Sequence, residues 1–403
     1  IRDLVRSRGL GDVYKRQLLY YSTPSFADCD FPLIKEYMEK GIDVLYLIKL
    51  TPYNCHSTLI NIEKQIPING IFKFSEYAES GIFSDYLDLD KIYVVNQLSP
   101  RNFSLSSLIL TIKLILFIIR LKVNVLHTTI FCDLDSFLLF FKKKLVVTLH
   151  DPIPHTGEKS SRREIFRRLA IKYSSKIFLL NVIQKNKFID MYHVDENKVE
   201  INRLGVYDSV NVYRNLIIDK VDASPSKNIL FFGRISPYKG VEYLLEAMSI
   251  VHAQYPDAIC TVMGGGEFYF DVTPYLNTSY VKIVNRFIAT SELISAIESS
   301  FVVVCPYTDA TQSGVVYTSY ALHKPVIASD VGGFSESVID SETGLLVPPR
   351  DSKSIADAII YLLKHSDESV RMSNMIKKNI SDGLFCWSNI ADKYIDVYKN
   401  FGH

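Results

Sequence analysis

The 403-residue sequence has little of what marks a metal protein, a nicotinamide-dependent dehydrogenase or a nucleic-acid-binding protein. Its six cysteines are scattered without a C-x-x-C pair, which predicts no metal cluster and indicates reduced thiols in a cytosolic protein. The 45 Lys and Arg nearly balance the 44 Asp and Glu, so the net charge of +1 gives no reason to expect nucleic acid as a partner. No strand-linked G-x-G-x-x-G fingerprint is present, which disfavours an NAD-dependent enzyme.

The sequence also lacks a long uninterrupted apolar run. Its most apolar stretch, Leu105 to Ile119, is broken by serine, threonine and lysine, whereas a membrane-spanning helix needs about 20 predominantly apolar residues. We therefore expect a buried helix or one that lies on a membrane surface. A second segment, Lys159 to Lys176, is dense in basic residues, which is typical of a solvated helix face and, as the alternative, of contact with anionic lipid. We expect a cytoplasmic protein, with peripheral attachment to the inner face of the plasma membrane left open.

The first seventeen residues, Ile1 to Gln17, are charged, contain glycine and have no apolar core of the kind found in signal peptides. The string resembles translated sequencing-adapter read-through at the end of a gene assembly. We therefore expect residues 1–17 to be a non-native leader, with the natural N-terminus a few residues before Leu18, and the fold prediction starts at Leu18.

Apolar segments alternate with helical periodicity along the rest of the chain, which predicts an α/β protein. The apolar segments are near-continuous, as in parallel strands that are buried on both faces. Because 403 residues exceed one ordinary hydrophobic core, we predict two Rossmann-like, doubly wound domains facing one cleft, with ligands at the carboxyl ends of the strands. The predicted divisions are an N-terminal domain at 18–210, a linker at 211–227, a C-terminal domain at 228–380 and a crossover helix at 381–403.

A loop with glycine and two cations follows the first strand of the predicted C-terminal domain. Gly233, Arg234 and Lys239 lie between that strand and a helix, where backbone N–H groups already favour an anion. An arginine fork and a lysine point charge together suit a diphosphate. The alternative, that both cations are ordinary surface residues at a turn, stays open on this motif alone.

Two further loops of this domain hold residues suited to a nucleotide. Ser313 and Gly314 directly precede a helix that begins at Val315, so their amides could cap a phosphate. Phe287, an aromatic residue with polar neighbours, could hold a nucleobase, and a place in the core is an equal alternative. We expect contacts with a bound nucleotide from seven positions in these loops: Asn285, Arg286, Phe287, Gln312, Ser313, Gly314 and Val315.

The N-terminal domain offers one histidine and three carboxylates near predicted strand ends. His150 and Asp151 follow an apolar strand and enter a proline-bounded loop, which makes His150 a candidate active-site group. Asp28 and Asp30 lie in the loop after the first strand and could bind substrate hydroxyl groups. N-capping of the next helix is an equally good interpretation of either aspartate.

Taken in order, these motifs resemble those of the retaining glycosyltransferases of family four, the glycosyl transferases group 1 with the GT-B fold. The Gly233-Arg234-x4-Lys239-Gly240 motif is similar to the donor-diphosphate motif of that family. The other matching segments cover the C-terminal domain nearly end to end: Thr261–Gly266, Pro306–Val315, Lys324–Gly333, Glu336 and Thr343–Val347.

The resemblance implies transfer of a glycosyl unit from a nucleoside diphosphate sugar to an acceptor hydroxyl with retention of configuration, without a metal or further cofactor. It implies a glycan or lipid-linked glycan acceptor on the N-terminal domain, a nucleotide sugar on the C-terminal domain, and a role in cell-surface polysaccharide or glycolipid assembly. Trp387 would be a packing anchor of the crossover helix. The residues that it assigns to catalysis are His150, Arg234 and Lys239, and those that it assigns to acceptor binding are Asp28, Asp30 and Asp151.

One departure from the family concerns a pair of glutamates, separated by seven residues, in the donor loop. The two alignments place Ala310 and Thr318, or Thr311 and Ser319, at those positions, and neither gives a carboxylate. Family members with a similar PYxxATQSGV-type loop exist, which favours an active enzyme with different ribose binding. The alternatives are a non-catalytic nucleotide- or glycan-binding GT-B subunit and a GT-B epimerase; a phosphorylase would need a pyridoxal-phosphate lysine context, which we do not find.

Overall fold

The computed structural model describes residues 17–52, 54, 59–60, 69–97, 104–153, 161–214, 217, 227–310 and 312–401. The chain forms two compact units: unit 1 is Ile1–Gly205 with Trp387–His403, and unit 2 is Val206–Cys386. The division after Gly205 precedes the predicted linker, most of which lies outside the described residues, as does the predicted leader up to residue 16. Gln17, the last residue of the predicted leader, begins the first strand, and its side chain donates to Asp43.

Fourteen strands are described. They are β1 (Gln17–Ser22), β2 (Asp43–Leu50), β3 (Gly70–Lys73), β4 (Ile92–Asn96), β5 (Val125–Thr128), β6 (Leu145–Leu149), β7 (Lys176–Leu179), β8 (Val199–Ile201), β9 (Asn228–Phe232), β10 (Ile259–Met263), β11 (Val281–Val284), β12 (Val302–Cys305), β13 (Val326–Ser329) and β14 (Gly344–Val347).

The described α-helices are α1 (Ala27–Glu39), α2 (Leu105–Leu121), α3 (Ser161–Tyr173), α4 (Lys185–Tyr192), α5 (Val210–Arg214), α6 (Val241–Gln254), α7 (Thr273–Leu276), α8 (Thr290–Ser299), α9 (Gly314–Ala321), α10 (Phe334–Ser337), α11 (Ser352–Lys364), α12 (Ser366–Asp382) and α13 (Trp387–Tyr398). Short 3-10 helices occur at Pro24–Phe26, Phe74–Glu76, Ala78–Phe83, Leu89–Lys91, Asp133–Lys144, Glu196–Lys198 and Pro237–Lys239. No helix within these described residues is long and apolar enough to cross a membrane.

Unit 1 is built on an eight-stranded sheet in the order β3-β4-β2-β1-β5-β6-β7-β8. Only β3 runs antiparallel to its neighbour. The chain moves towards β2 through α1, and in the opposite direction through α2, the 133–144 segment and α3. Right-handed crossovers therefore put α1 on one face of the sheet and the other three elements on the opposite face.

The C-terminal helix α13 packs on α1 within unit 1. The hydroxyl groups of Tyr37 and Tyr398 are 3.1 Å apart, and Lys40 Nζ lies 2.9 Å from a carboxylate oxygen of Asp392. Trp387, at the start of α13, is buried, and a Cβ on Gly205 would lie 2.5 Å from its ring. A glycine at position 205 thus leaves the space that the indole occupies.

Unit 2 is built on a six-stranded, fully parallel sheet in the order β11-β10-β9-β12-β13-β14. The central strands β9, β12 and β13 are almost entirely buried, as their continuous apolar sequences predict. The strand order reverses between β9 and β12. In open parallel sheets this reversal marks the ligand-binding crevice at the carboxyl edge.

Candidate active site

Three loops at the carboxyl edge of the unit 2 sheet pack backbone against backbone. A Cβ on Gly264 would lie 2.0 Å from the carbonyl oxygen of Gly233, and one on Gly240 would lie 2.0 Å from that of Pro306. Both glycines have positive φ, at 144° and 62° respectively. Glycine is required at these positions because any side chain would clash and would strain the backbone. The loops after β9, β10 and β12 are thereby joined into one surface.

The predicted donor-binding residue Asn285 has a partner inside this surface. Its Oδ1 accepts from the backbone N–H of Gly266 at 3.1 Å, and its Nδ2 donates to the Gly266 carbonyl at 2.9 Å. Both ends of the amide are therefore engaged in holding the glycine turn after β10. The structure makes Asn285 a support of the loop, and contact with a donor stays a prediction.

Lys239 is buried in an aromatic cage, with 9% of the residue exposed. Its Nζ lies 2.5 Å from the hydroxyl of Tyr307, 3.8 Å from the centroid of the Tyr307 ring and 5.1 Å from that of Tyr238. Burial, and to a smaller extent the nearby charge of Arg234, lower the pKa of Lys239 to about 8. The hydroxyl and the ring faces stabilise the ammonium only in part, because neither carries a negative charge.

The loop with Lys239 has a positive charge that the described residues do not neutralise. No carboxylate of the described chain lies within salt-bridge distance of Lys239, and the Arg234 side chain is exposed. In the sequence between these two cations, the hydroxyl of Ser236 is buried and has no hydrogen-bond partner among the described residues. A partly buried cation pair without a counter-ion is suited to an anionic ligand.

The start of α9 adjoins this cage. Ser313 is the residue before the helix, its hydroxyl lies 3.1 Å from that of Tyr307, and its side chain does not cap the helix. Gly314, the first helical residue, is exposed. The Tyr307 phenol thus contacts both the Lys239 ammonium and the hydroxyl of the residue before α9. The ammonium and the first-turn amides of α9 both favour an anion. Gln312 is half-buried and Val315 is buried beside them.

The second predicted donor loop, at the end of β11, is arranged differently. Arg286 forms a two-pronged ion pair with Glu292, at 2.8 and 2.7 Å. The carboxylate raises the pKa of Arg286, and the guanidinium lowers that of Glu292. Phe287 is 70% exposed, so the alternative of a core position is wrong. Its ring is available at the edge of the sheet, and a nucleobase contact stays a prediction.

Two of the four positions that align with the family's glutamates carry hydroxyl groups that are hydrogen-bonded within α9. Thr318 and Ser319 are buried in α9 and donate to the carbonyl oxygens of Gly314 and Val315, at 2.9 and 2.7 Å. In the other half of the loop, a Cβ on Gly332 would lie 1.5 Å from the Ala310 carbonyl oxygen. The hydroxyl groups at positions 318 and 319 are therefore engaged within the helix itself.

In unit 1, His150 follows β6 and is half-buried. Its ring stacks on Phe26 with centroids 4.1 Å apart and planes at 14°. Burial lowers the pKa of His150 to about 4, and the charge of Asp151 offsets part of that effect. The imidazole is therefore neutral at physiological pH. It lines a small pocket with Asp30, Arg203, Trp387 and seven other residues of unit 1: Tyr20, Cys29, Leu33, Thr148, Leu180, Leu204 and Tyr394.

The two aspartates after the first strand lie in the first turn of α1, where negative charge is favourable. The N-cap of α1 is Phe26, so the capping interpretation is wrong for both aspartates. Asp30 is buried and accepts from the hydroxyls of Tyr20 and Tyr46 at 2.9 and 3.0 Å. Burial raises the pKa of Asp30, a hydrogen bond from Ser22 and those from the two tyrosines offset part of that effect, and the resulting pKa is about 7.

The remaining predicted acceptor residue, Asp151, is exposed, and its carbonyl oxygen accepts from Arg167 at 2.7 Å. Its side chain does not line the pocket that His150 and Asp30 share. Asp28 is half-buried. Acceptor binding by all three aspartates stays a prediction, and the enclosed position of Asp30 disfavours direct contact with a large glycan.

Two residues that sequence analysis did not single out organise these sites. Tyr307 bridges Lys239 and Ser313, and its only sequence signal is its place directly after β12 and Pro306. His127, inside β5, is fully buried, contacts the Tyr398 hydroxyl and lies 2.7 Å from Oγ1 of Thr148. Burial lowers the pKa of His127 to about 3, so it is a neutral part of the core.

In the comparison with known proteins, the family match lies in unit 2. Residues 226–365 match the family described as Glycosyl transferases group 1. The matched residues lie within unit 2. An uncharacterized glycosyltransferase of Methanocaldococcus jannaschii is 26% identical over 240 residues, which span 56% of this chain and 60% of the relative. A trehalose synthase of Pyrococcus horikoshii is 25% identical over 313 residues, or 68% and 71% of the two chains.

Solved structures resemble the chain over nearly its full length. A glycosyltransferase from Rickettsia africae has a TM-score of 0.65 and 17% identity, covering 96% of this chain and 98% of the other. Anabaena HepE in complex with UDP and glucose has a TM-score of 0.65 and 16% identity, covering 95% and 99%. At this level of identity the likeness concerns the fold. The prediction of a GT-B fold with two Rossmann-like domains is confirmed.

Proposed function

We propose that the protein transfers a glycosyl unit from a nucleoside diphosphate sugar to an acceptor hydroxyl with retention of configuration. The observation that carries the proposal is the buried Lys239 ammonium, which has aromatic and hydroxyl neighbours where an ion pair would be expected. It stands beside Arg234 and the start of α9, at the glycine-lined carboxyl edge of a glycosyl transferases group 1 domain. Unit 2 would bind the donor and unit 1 the acceptor.

The departing diphosphate develops negative charge as the glycosidic bond to the donor breaks. Lys239, Arg234 and the first amides of α9 would stabilise that charge in place, and donors of this kind contribute a factor of about 10² to 10³ each. The acceptor oxygen forms the new bond to the anomeric carbon, and its proton passes to a phosphate oxygen of the leaving diphosphate. The proposal therefore assigns no metal ion and no further cofactor to the reaction.

His150 would act as a neutral group in this scheme. Because its pKa is about 4, the imidazole carries no charge at neutral pH and can exchange hydrogen bonds with sugar hydroxyls. The stacking on Phe26 fixes the plane of the ring. We assign it a positioning role towards the reacting sugar, with rate loss on substitution and little change in the pH profile between pH 6 and 8.

For the acceptor we propose a glycan or lipid-linked glycan, and for the pathway the assembly of cell-surface polysaccharide or glycolipid. The basic helix α3 supports a cytoplasmic protein held peripherally at an anionic membrane surface, because it carries five basic residues and a single glutamate. The five are Arg162, Arg163, Arg167, Arg168 and Lys172.

The test is a screen of nucleoside diphosphates and their sugars for thermal stabilisation, followed by transfer assays with the donor that binds. We expect one nucleotide to raise the melting temperature, Arg234→Ala to reduce that shift, and the exposed control Lys353→Ala to leave it unchanged. Phe287→Ala should weaken binding by about 1–3 kcal/mol if the base stacks on the ring, whereas Leu276→Ala, at an exposed position away from these loops, should not. A complete lack of nucleotide binding would contradict the donor site.

A second candidate is a nucleotide- or glycan-binding GT-B subunit without turnover. It is favoured by the absence of a carboxylate at Ala310, Thr318 and Ser319. Binding of a nucleotide sugar without transfer to any acceptor, and without hydrolysis, would support this candidate. Recovery of the donor with an inverted sugar centre would instead support an epimerase.

A further inference from the structure

The helix α2 is apolar on two opposite sides. One side packs into the core of unit 1 through Leu110, Leu114 and Ile118. On the other side, at about 100° per residue, six large apolar side chains fall within an arc of about 100° and stay exposed. A large exposed apolar surface of this kind is typical of a site that binds another molecule or a membrane. This exposed stripe consists of Leu105, Leu108, Ile109, Ile112, Leu116 and Ile119.

Basic residues border the exposed stripe. The helix α2 contains no acidic residue, and Lys113, Arg120 and Lys122 are exposed along its flank and at its end. The 133–144 segment packs beside α2 through Phe137 and Leu138, which belong to the same hydrophobic cluster as its buried side. That segment adds an exposed aromatic ring and three exposed lysines to the same surface: Phe140, Lys142, Lys143 and Lys144.

The basic helix α3 continues this surface. The Nζ atoms of Lys142 and Lys172 lie 5.9 and 5.2 Å from the ring centroid of Tyr173, so the 133–144 segment and α3 are in contact. The right-handed crossovers place α2, this segment and α3 on one face of the unit 1 sheet. Apolar side chains in the middle with cations around them thus share one side of the unit.

We infer that the exposed stripe of α2, with Phe140, docks into the surface of an anionic lipid bilayer. The stripe lies on one helix of 17 residues, about 26 Å long, which is long enough for an interfacial helix that lies in the membrane plane. Its apolar side chains would reach the acyl boundary, and the surrounding lysines and arginines would meet the lipid phosphates. Each such cation near an anionic surface strengthens binding by about fivefold.

This inference rests on the proposed function in one respect: a lipid-linked acceptor would then reach unit 1 from the bilayer on which the unit is docked. Vesicle binding can be measured without donor or acceptor. Failure to bind lipid and failure to transfer sugar are therefore separate results.

The test is flotation of the whole chain with vesicles of phosphatidylcholine alone, or of phosphatidylcholine and phosphatidylglycerol in equal parts. We expect binding to the mixed vesicles that weakens as salt rises. Ile112→Glu with Leu116→Glu should reduce it at least about tenfold, because both side chains lie within the stripe and would carry charge into the acyl boundary. Lys142→Glu with Lys143→Glu should reduce binding to the mixed vesicles and also its dependence on salt.

The matched controls change exposed residues of unit 2. Leu276→Glu with Val370→Glu, and separately Lys353→Glu, should bind vesicles as the wild type does, and all variants should keep the nucleotide-induced thermal shift. Equal binding by the Ile112→Glu/Leu116→Glu variant and the wild type would overturn the inference. So would a wild-type dimer in light scattering that this variant converts to a monomer, since the stripe would then cover a second copy of the chain.

Discussion

Each of the two sheets has a buried lysine near its carboxyl edge, and the two lysines have opposite surroundings. In unit 1, Lys49 lies 2.6 Å from the carboxylate of Asp135, which also accepts from the Tyr21 hydroxyl at 2.9 Å. In unit 2, the described neighbours of the Lys239 ammonium are a phenol hydroxyl and two aromatic ring faces. A buried cation that is paired with a carboxylate is part of the folded core, whereas a buried cation without a counter-ion is suited to binding an anionic ligand.

The largest expected difference between the two lysines is in their contribution to the free energy of unfolding, and Lys49 should contribute more. Lys49→Met would leave the Asp135 carboxylate buried without its cation, and we expect a loss of about 3–5 kcal/mol of unfolding free energy. Urea unfolding measures this. The double variant Lys49→Met/Asp135→Asn should recover part of the loss because it removes the uncompensated charge. Equal stability of Lys49→Met and the wild type would show that the ion pair is not part of the scaffold.

Lys239 should respond in the opposite way. Lys239→Met removes an ammonium that burial disfavours, so we expect unchanged or slightly higher stability, together with roughly 10- to 100-fold weaker binding of the nucleotide sugar. Calorimetric titration measures the affinity, and Lys353→Met, at an exposed position, is the matched control. Unchanged affinity in Lys239→Met would break the contrast between the two lysines.

Lys239 also predicts the direction in which the affinity for the nucleotide sugar changes with pH. The pKa of Lys239 lies below its usual value, at about 8, so the cation that binds phosphate is present below pH 8 and is lost as the pH rises through that value. We expect the affinity of the wild type for the nucleotide sugar to fall above pH 8. The affinity of Lys239→Met should stay flat over that range, and a parallel fall in both proteins would assign the effect to another group.

A smaller effect is expected from the glycines that join the loops of unit 2. Gly264→Ala puts a Cβ 2.0 Å from the Gly233 carbonyl at a φ of 144°, and we expect a loss of about 2 kcal/mol in unfolding free energy and weaker nucleotide binding. Gly81→Ala is the control, because no atom lies within 4 Å of its Cβ position. Its stability should stay within about 0.5 kcal/mol of the wild type. Similar losses in both variants would mean that close approach is not what Gly264 provides.

Sequence reasoning recovered most of the fold because parallel strands buried on both faces are continuous apolar runs. The loop with Gly233 and Lys239 lies between a strand and a helix, as its sequence predicts. Such signals are local. They depend on residues that are neighbours in the chain. The length of the chain then predicts two domains, and the alternation of strands and helices predicts the α/β class.

The contacts that define the candidate sites are not local. Tyr307 reaches Lys239 because β9 and β12 are adjacent in the sheet, and the order of strands is not written in either segment. Asp30 was predicted to contact a substrate, yet the tyrosines of β1 and β2 enclose it. In α2, both sides are apolar in sequence, and only the position of the sheet decides which one is exposed.

The aromatic cage of Lys239 has a further consequence, for chemical labelling. An amine whose pKa is about 8 is partly unprotonated at mildly alkaline pH, where an ordinary lysine remains almost entirely an ammonium ion. At such a pH we expect Lys239 to react with a small acylating reagent that is able to enter the cage. A bound diphosphate would both cover the nitrogen and return its proton, so the rate of acylation reports directly on occupancy of the site.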